Sequence, residues 1–254
     1  MDLTKYPEGD EDSVIVPRNL GRRVRGVVFD LDGTLINSTV NFGLMRLRIV
    51  GGLIAHGIPA SELEGGRTTA DDLAKAVNYL KANGLGGKVP QLHRAMSDIM
   101  NMTEIEHVAD TTPIEGAEDC LASIEGAGLA IGILTRGSRA YAQAAIHYAG
   151  LDLMTVPMIC RDDFPEEEAK PNGKAMERIA GMMGLKAVDC VLVGDHGMDL
   201  SCARSVSAGF IGVLSGTFGR DDWIRAGCSV FIDSVRSLPD LLLGTPESRL
   251  SDDR

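Results

Sequence analysis

Asp30-Leu31-Asp32-Gly33-Thr34-Leu35 directly follows the run VRGVVF at 24–29, and together they form the most informative segment of the sequence. A short β-branched run of this kind predicts a buried strand. Two carboxylates at i and i+2 then leave the strand at a glycine turn. This places them at the carboxyl edge of a sheet, where open α/β sheets bind their ligands. Taken alone, the pair could equally be a turn or a helix cap.

Outward from this stretch, strand-like and helix-like segments alternate along the chain. Apolar runs typical of buried strands recur at 129–135, 156–160, 188–195 and 208–214. Between them lie stretches with the helical spacing of apolar residues, at 117–127, 138–149, 173–184 and 199–207. Such alternation predicts βαβ units and therefore an α/β fold built on a doubly wound parallel sheet.

One segment, 40–112, interrupts the alternation with three helical patterns separated by Gly- and Pro-containing turns. We therefore predict a helical domain at 40–112, inserted into a core made of 24–39 and 113–244. The polar segment 1–23 is predicted to be a loosely held arm, and 245–254 a flexible tail.

Composition narrows the range of functions. The chain has 254 residues, with 25 Lys and Arg against 36 Asp and Glu, and its formal net charge of −11 at pH 7 disfavours nucleic acid as a partner. Five cysteines without a C-x-x-C pair fit neither a disulfide framework nor a zinc site. No apolar run is long enough for a membrane span, and the N-terminus lacks the pattern of a signal peptide. We therefore expect a cytoplasmic protein without a membrane partner.

Three further motifs lie at predicted strand ends or helix starts. Thr135 places a hydroxyl where a strand ends and a helix begins, and free N–H groups at a helix start attract anions. Lys170 precedes another helix, and Asp195 and Asp199 follow another strand. Each has a plainer interpretation as a helix cap, a solvated charge or a turn residue. Their common position with Asp30 at one sheet edge favours a shared site.

In this order, the four motifs resemble the haloacid dehalogenase-like superfamily of phosphotransferases over nearly the whole chain, from 24 to 243. The resemblance is greatest to the phosphoglycolate phosphatase-like group, in which a small helical cap of the C1 type is inserted after the first motif. It implies a Rossmann-like core in which the strand of Asp30 lies between those of Asp195 and Thr135. It further implies that the insertion at 40–112 is such a cap.

The resemblance also implies a role for each motif residue. Asp30 would be the nucleophile and Asp32 the general acid/base, while Thr135 would bind a phosphoryl oxygen. Lys170 would hold the charges of nucleophile and phosphate together. Asp195 and Asp199 would hold the metal.

These roles agree with elementary chemistry. A carboxylate such as Asp30 can approach a phosphomonoester only if positive charge offsets their repulsion, as Mg²⁺ and Lys170 would do. Attack gives an aspartyl phosphate, and Asp32 would protonate the leaving alkoxide and then take a proton from water. Mg²⁺ prefers hard oxygen ligands, here Asp30, the backbone carbonyl of Asp32, and Asp195. Asp199 would orient a metal-bound water or Lys170, or bind the metal directly.

We predict a Mg²⁺-dependent phosphatase acting on small phosphomonoesters similar to phosphoglycolate, as a monomer or homodimer. A phosphomutase similar to β-phosphoglucomutase is the first alternative, and a non-catalytic binding protein on the same fold is the second. Arg136 is predicted to contact a substrate carboxylate or phosphate, the alternative being a salt bridge. The leaving group would be recognised by cations of the insertion, for which the candidates are Arg46, Arg48, Arg67, Lys75 and Arg94.

Overall fold

A computed structural model describes residues 24–66 and 68–244, which contain a parallel sheet. Its strands are β1 Gly26–Phe29, β4 Ala130–Leu134, β5 Met158–Ile159, β6 Cys190–Gly194, β7 Gly209–Val213 and β8 Phe231–Ile232. They pair in the order β5-β4-β1-β6-β7-β8, and each is parallel to its neighbours. A two-residue antiparallel pair, β2 Ile36–Asn37 and β3 Thr112–Pro113, lies outside this sheet. The predicted α/β fold is confirmed.

Helices join the strands and cover the sheet. They are α4 Ala117–Gly126, α5 Arg139–Tyr148, α6 Gly173–Met182, α7 Gly197–Ser205, α8 Arg220–Arg225 and α9 Leu238–Leu243. The strands β1, β4, β6 and β7 are buried at every position, which is why they read as continuous apolar runs rather than as alternating ones. Val28 and Leu192, for example, pack in one apolar cluster with Met176 and Ile179 of α6 and with the buried Trp223 of α8.

The described residues divide into two compact units. One consists of 24–38 and 109–244, and the other is Thr39–Val108. The helices of the second unit are α1 Phe42–Ala55, α2 Thr69–Ala82 and α3 Val89–Ile105. That the segment 40–112 serves as a cap on the core stays a prediction. The predicted arm 1–23 and tail 245–254 lie outside the described residues.

Local sequence explains how the helical unit is built. Thr68 and Asp71 form a capping box, in which each side chain accepts a hydrogen bond of 3.1 Å from the other residue's backbone N–H, so α2 begins at Thr69. A Cβ atom on Gly52 would lie 2.7 Å from Cδ1 of Ile99, so glycine lets α1 and α3 approach closely. Met96 is fully buried between helices of this unit.

The structure differs from the predicted elements mainly at their ends and in short pieces. The helix expected from 199 begins two residues earlier, at Gly197, so Asp199 lies inside its first turn. The elements β2, β3, β8, α8 and α9 have no counterpart in the sequence-based assignment, because each is only two to six residues long. No helix among the described residues is long and apolar enough to span a membrane.

Candidate active site

The candidate site lies at the carboxyl edge of the sheet, where three neighbouring strands end. Asp30, Thr135 and Asp195 each directly follow their strands β1, β4 and β6, and all three are buried. The order β4-β1-β6 places Asp30 on the middle strand. The backbone N–H of Asp30 donates to the carbonyl of Val193 at 2.9 Å, which continues the ladder one residue past β1 and fixes the start of the loop.

The loop after Asp30 turns tightly around Gly33. Gly33 has φ +74° and donates its N–H to the carbonyl oxygen of Ile36 at 2.8 Å. A Cβ atom at this position would lie 2.7 Å from Oδ2 of Asp195 and 2.9 Å from Cα of Gly216. Glycine is therefore required by both the backbone conformation and the lack of space. The turn brings the loop that follows Asp30 against the carboxylate of Asp195.

Lys170 links two of the acidic residues. Its side chain is 3% exposed, and its Nζ donates to Oδ1 of Asp30 and, at 2.6 Å, to Oδ1 of Asp199. Burial by itself disfavours the ammonium, but the attraction of Asp199 and Asp30 outweighs it and raises the pKa of Lys170. Lys170 is therefore a fixed positive charge beside the predicted nucleophile.

The two acids after β6 are held differently. Asp195 accepts a hydrogen bond at Oδ2 from the backbone N–H of Thr217 at 2.7 Å. Asp199 lies in the first turn of α7 and accepts at Oδ2 from the N–H of His196 at 3.1 Å, while its Oδ1 contacts Lys170. His196 is the N-cap of α7, and its Nδ1 accepts from the N–H of Met198 at 3.1 Å. Asp199 thus contacts Lys170 directly, and its role in orienting Lys170 stays a prediction beside the other roles given above.

Asp30, Asp195 and Asp199 could together hold a metal ion. Each offers one carboxylate oxygen, and these oxygens all lie within 4.8 Å of one another. Burial raises the pKa of Asp30 well above its ordinary value, Lys170 opposes this rise, and the other carboxylates add to it. Three carboxylates against one ammonium leave two uncompensated negative charges when all are ionised. Oδ2 of Asp30 accepts no hydrogen bond from the described residues. This arrangement of hard oxygen donors fits a divalent cation.

Asp32 is not one of these three carboxylates, and it forms a hydrogen bond with a tyrosine that the sequence analysis missed. Oη of Tyr141 donates to Oδ1 of Asp32 at 2.5 Å, and Oγ of Ser38 lies 3.1 Å from Oη. Burial raises the pKa of Asp32, and the hydrogen bonds from Tyr141 and Ser38 partly offset that rise. No sequence signal marks Tyr141, because a buried aromatic residue on a helix is typical of core packing.

Thr135 lies at the start of the loop that leads into α5. Its Oγ1 accepts from the backbone N–H of Gly137 at 3.0 Å, and Ser138 rather than Thr135 caps the helix. The plainer interpretation of Thr135 as the helix N-cap is therefore wrong. Its hydroxyl proton is not used by that hydrogen bond and can serve another acceptor.

Arg136 forms the salt bridge that was the alternative to substrate binding. Its Nη2 pairs with Oε1 of Glu166 at 2.5 Å, and its Nη1 donates to the carbonyl oxygen of Lys170 at 3.1 Å. In this structure the guanidinium thus ties the Thr135 loop to the backbone of Lys170. A direct contact between Arg136 and substrate stays a prediction.

Most of the candidate cations of the helical unit have partners within it. Nε of Arg46 pairs at 2.8 Å with Asp72, whose side chain is fully buried. Nη1 of Arg48 lies 2.7 Å from Oε1 of Glu106. Lys75 donates to a backbone carbonyl, Arg94 is exposed, and Arg67 lies outside the described residues. These contacts give no reason to prefer one of the five cations as the residue that recognises the leaving group.

Comparison with known proteins agrees with this geometry. The family model described as haloacid dehalogenase-like hydrolase matches residues 24–206. This chain belongs to that family. The hydrolase is 24% identical over 224 residues to an N-acetylmuramic acid 6-phosphate phosphatase of Pseudomonas aeruginosa, covering 87% of this chain and 95% of the relative.

Two further comparisons support the assignment. A phosphoglycolate phosphatase of Xanthomonas campestris is 26% identical to the hydrolase over 220 residues, with 84% of this chain and 94% of the relative covered. The crystal structure of a hydrolase from Pseudomonas syringae superposes with a TM-score of 0.63 at 21% identity, covering 84% of this chain and 95% of that one. The structural likeness supports the fold, and the sequence relatives indicate the type of reaction.

Proposed function

We propose that this hydrolase is a Mg²⁺-dependent phosphatase that cleaves small phosphomonoesters through an aspartyl phosphate on Asp30. The observation that carries the proposal is the buried group of Asp30, Asp195 and Asp199 joined by Lys170. It combines a carboxylate nucleophile with positive charge, which an anionic substrate requires. Two sequence relatives are named as phosphatases of small phosphorylated compounds, which supports the same reaction.

In the first step, a carboxylate oxygen of Asp30 attacks phosphorus while the bond from phosphorus to the ester oxygen breaks. Asp32 gives its proton to that oxygen, so the product leaves as a neutral alcohol and Asp32 becomes a carboxylate. Lys170 balances the charge of Asp30 and of the incoming phosphate. The hydroxyl of Thr135 donates to a phosphoryl oxygen.

In the second step, Asp32 takes a proton from a water molecule as that water attacks the phosphorus of the aspartyl phosphate. The bond between phosphorus and Asp30 breaks, which releases inorganic phosphate and restores both side chains. Asp30 and Asp195, together with the backbone carbonyl of Asp32, would hold Mg²⁺, and Asp199 would position Lys170. When bound, the ion supplies charge that offsets the repulsion between nucleophile and phosphate.

The substrate class is inferred from the relatives, because the roles proposed for the core residues concern only the phosphoryl group. The two relatives above are named for phosphoglycolate and for N-acetylmuramic acid 6-phosphate, which differ greatly in size. We propose that the helical unit Thr39–Val108 acts as a cap and recognises the leaving group, as the sequence resemblance implies. A cap would also exclude water, which competes with substrate for every charge contact.

The decisive experiment is a panel of phosphomonoesters assayed for phosphate release with Mg²⁺, with both named compounds and hexose phosphates included. We expect steady turnover of at least one alkyl ester and none with Asp30→Asn, which is close in size to aspartate but cannot attack phosphorus. Circular dichroism of Asp30→Asn should match that of the wild type. Interconversion of hexose 1- and 6-phosphates without phosphate release would instead identify a mutase. Turnover by Asp30→Asn would refute the covalent mechanism.

A further inference from the structure

Tyr141 has no assigned role, yet its hydroxyl is directed at the carboxylate of Asp32. Tyr141 lies in the first turn of α5 and is 1% exposed. Its Oη donates to Oδ1 of Asp32 at 2.5 Å, and the two residues are 109 positions apart in the sequence. Oγ of Ser38 lies 3.1 Å from the same Oη.

A tyrosine hydroxyl has a single proton, and this limits which oxygen of Asp32 can carry the acidic proton. Because Oη gives that proton to Oδ1, it can only accept from Oγ of Ser38, whose own single proton also serves the Asp32 carboxyl group. Oδ1 of Asp32 is likewise occupied as an acceptor. When Asp32 is protonated, the bond from Tyr141 favours the acidic proton on Oδ2, because the carbonyl oxygen of a carboxyl group is a better acceptor than its hydroxyl oxygen.

We propose that Tyr141 is a positioning residue that fixes the rotation of the Asp32 carboxyl group, so that Oδ2 is the atom that gives and takes the proton. The proposal rests on the function proposed above, in which Asp32 is the general acid and base. In the first step the proton moves from Oδ2 to the ester oxygen. In the second step Oδ2 receives a proton from water, while Oδ1 accepts the bond from Tyr141 throughout.

The loop that carries Thr135 also holds Tyr141 in place. Ser138 caps α5, and its Oγ accepts a hydrogen bond of 3.3 Å from the backbone N–H of Tyr141. A Cβ atom on Gly137 would lie 2.7 Å from Cδ1 of the Tyr141 ring, so glycine leaves the room that this ring occupies. One short segment thereby places both the phosphoryl ligand Thr135 and the residue that orients the acid.

A purely structural role for Tyr141 makes a different prediction. If the ring only fills space, Tyr141→Phe preserves the packing and should change all substrates alike. If the hydroxyl positions a proton donor, its loss should matter most for leaving groups that need a proton. Alkyl esters need one because alkoxides are poor leaving groups, whereas 4-nitrophenolate leaves without one.

The kinetic test compares single-turnover rates of the first step for two esters. The alkyl ester is phosphoglycolate or N-acetylmuramic acid 6-phosphate, whichever the panel shows to be hydrolysed faster, and the second ester is 4-nitrophenyl phosphate. For Tyr141→Phe we expect the alkyl ester to slow about tenfold, a fraction of the roughly 10²–10⁴ that acid–base catalysis contributes, with KM within about twofold. The burst of nitrophenol should stay within about threefold of wild type.

Two further variants complete the comparison. Tyr148→Phe is the matched control, because Tyr148 lies at the other end of α5 and is 52% exposed. It should leave both rates unchanged. Ser38→Ala removes Oγ from both Oη of Tyr141 and the Asp32 carboxyl group, and it should slow the alkyl ester in the same selective way, by less than Tyr141→Phe.

A measurement independent of turnover reports the hydrogen bond itself. The hydroxyl proton of Tyr141 should give a low-field proton NMR signal in the wild type, absent from Tyr141→Phe and shifted in Asp32→Asn. Equal slowing of both esters, unchanged rates, or a signal unaffected by Asp32→Asn would each overturn the proposal. If the wild type hydrolyses no ester, the proposed function fails and this role of Tyr141 fails with it. An active wild type with an unselective Tyr141→Phe would refute this inference alone.

Discussion

Replacing Lys170 by methionine should destabilise the fold strongly, because it leaves buried carboxylates without a counter-charge. Lys170 and Asp199 have side chains only 3% and 2% exposed, with Nζ and Oδ1 2.6 Å apart. Breaking a buried ion pair by removing one partner costs about 3–5 kcal/mol. A limit follows from protonation: neutralising a carboxyl of pKa about 3.9 costs roughly 4 kcal/mol at pH 7, at 1.36 kcal/mol per pKa unit. We therefore expect Lys170→Met to lose about 3–4 kcal/mol at pH 7.

The sign of the pH dependence follows from the same reasoning. Without Lys170 the pKa of Asp30, which burial already raises, rises further above its value in the unfolded chain. The folded variant then binds more protons than the unfolded one, so its stability falls as pH rises. At pH 5 the cost of neutralising one carboxyl is only about 1.5 kcal/mol, so the loss should shrink to about 1–2 kcal/mol.

Urea unfolding with EDTA present measures these differences. The fluorescence of Trp223 can monitor it, because the sequence has one tryptophan and its side chain is fully buried. The matched control is Lys174→Met, whose side chain is 57% exposed and pairs with Glu168, so the free energy of unfolding should change by no more than about 0.5 kcal/mol. A loss below about 1 kcal/mol for Lys170→Met at pH 7, or one that grows as pH falls, would refute the reasoning.

Three further predictions concern the chemistry and geometry of the same site. Asp32→Asn should still release nitrophenol in a burst but should slow hydrolysis of the intermediate, whereas equal slowing of alkyl and aryl esters in the first step would contradict its acid/base role. Ca²⁺ should compete with Mg²⁺ and inhibit, because it accepts bidentate carboxylates and would engage both oxygens of Asp30, so equal turnover with Ca²⁺ alone would show otherwise. Gly33→Ala should lose about 2–4 kcal/mol in urea unfolding, since alanine is strained at φ +74° and its Cβ meets Asp195, and an unchanged midpoint would exclude that contact.

The class of fold, and the polar residues that lie together at one edge of its sheet, follow from local patterns in the sequence. Strands buried on both faces must be continuously apolar, so β1, β4, β6 and β7 are visible as runs and their alternation with helices indicates a parallel sheet. Parallel strands end at one edge, and polar residues that directly follow such runs therefore meet in space. Asp30, Thr135 and Asp195 can be grouped in this way from the sequence alone.

Which of these side chains contact one another depends on the three-dimensional packing and is not visible in local patterns. Tyr141 reaches Asp32 across 109 residues, and no local pattern distinguishes its hydroxyl from that of a core tyrosine. The pairing of Arg136 with Glu166 likewise depends on how two loops approach, since Arg136 could have faced substrate equally well. Hydrophobic periodicity records which face of an element is buried, whereas a side-chain hydrogen bond depends on atomic positions set by the packing of distant segments.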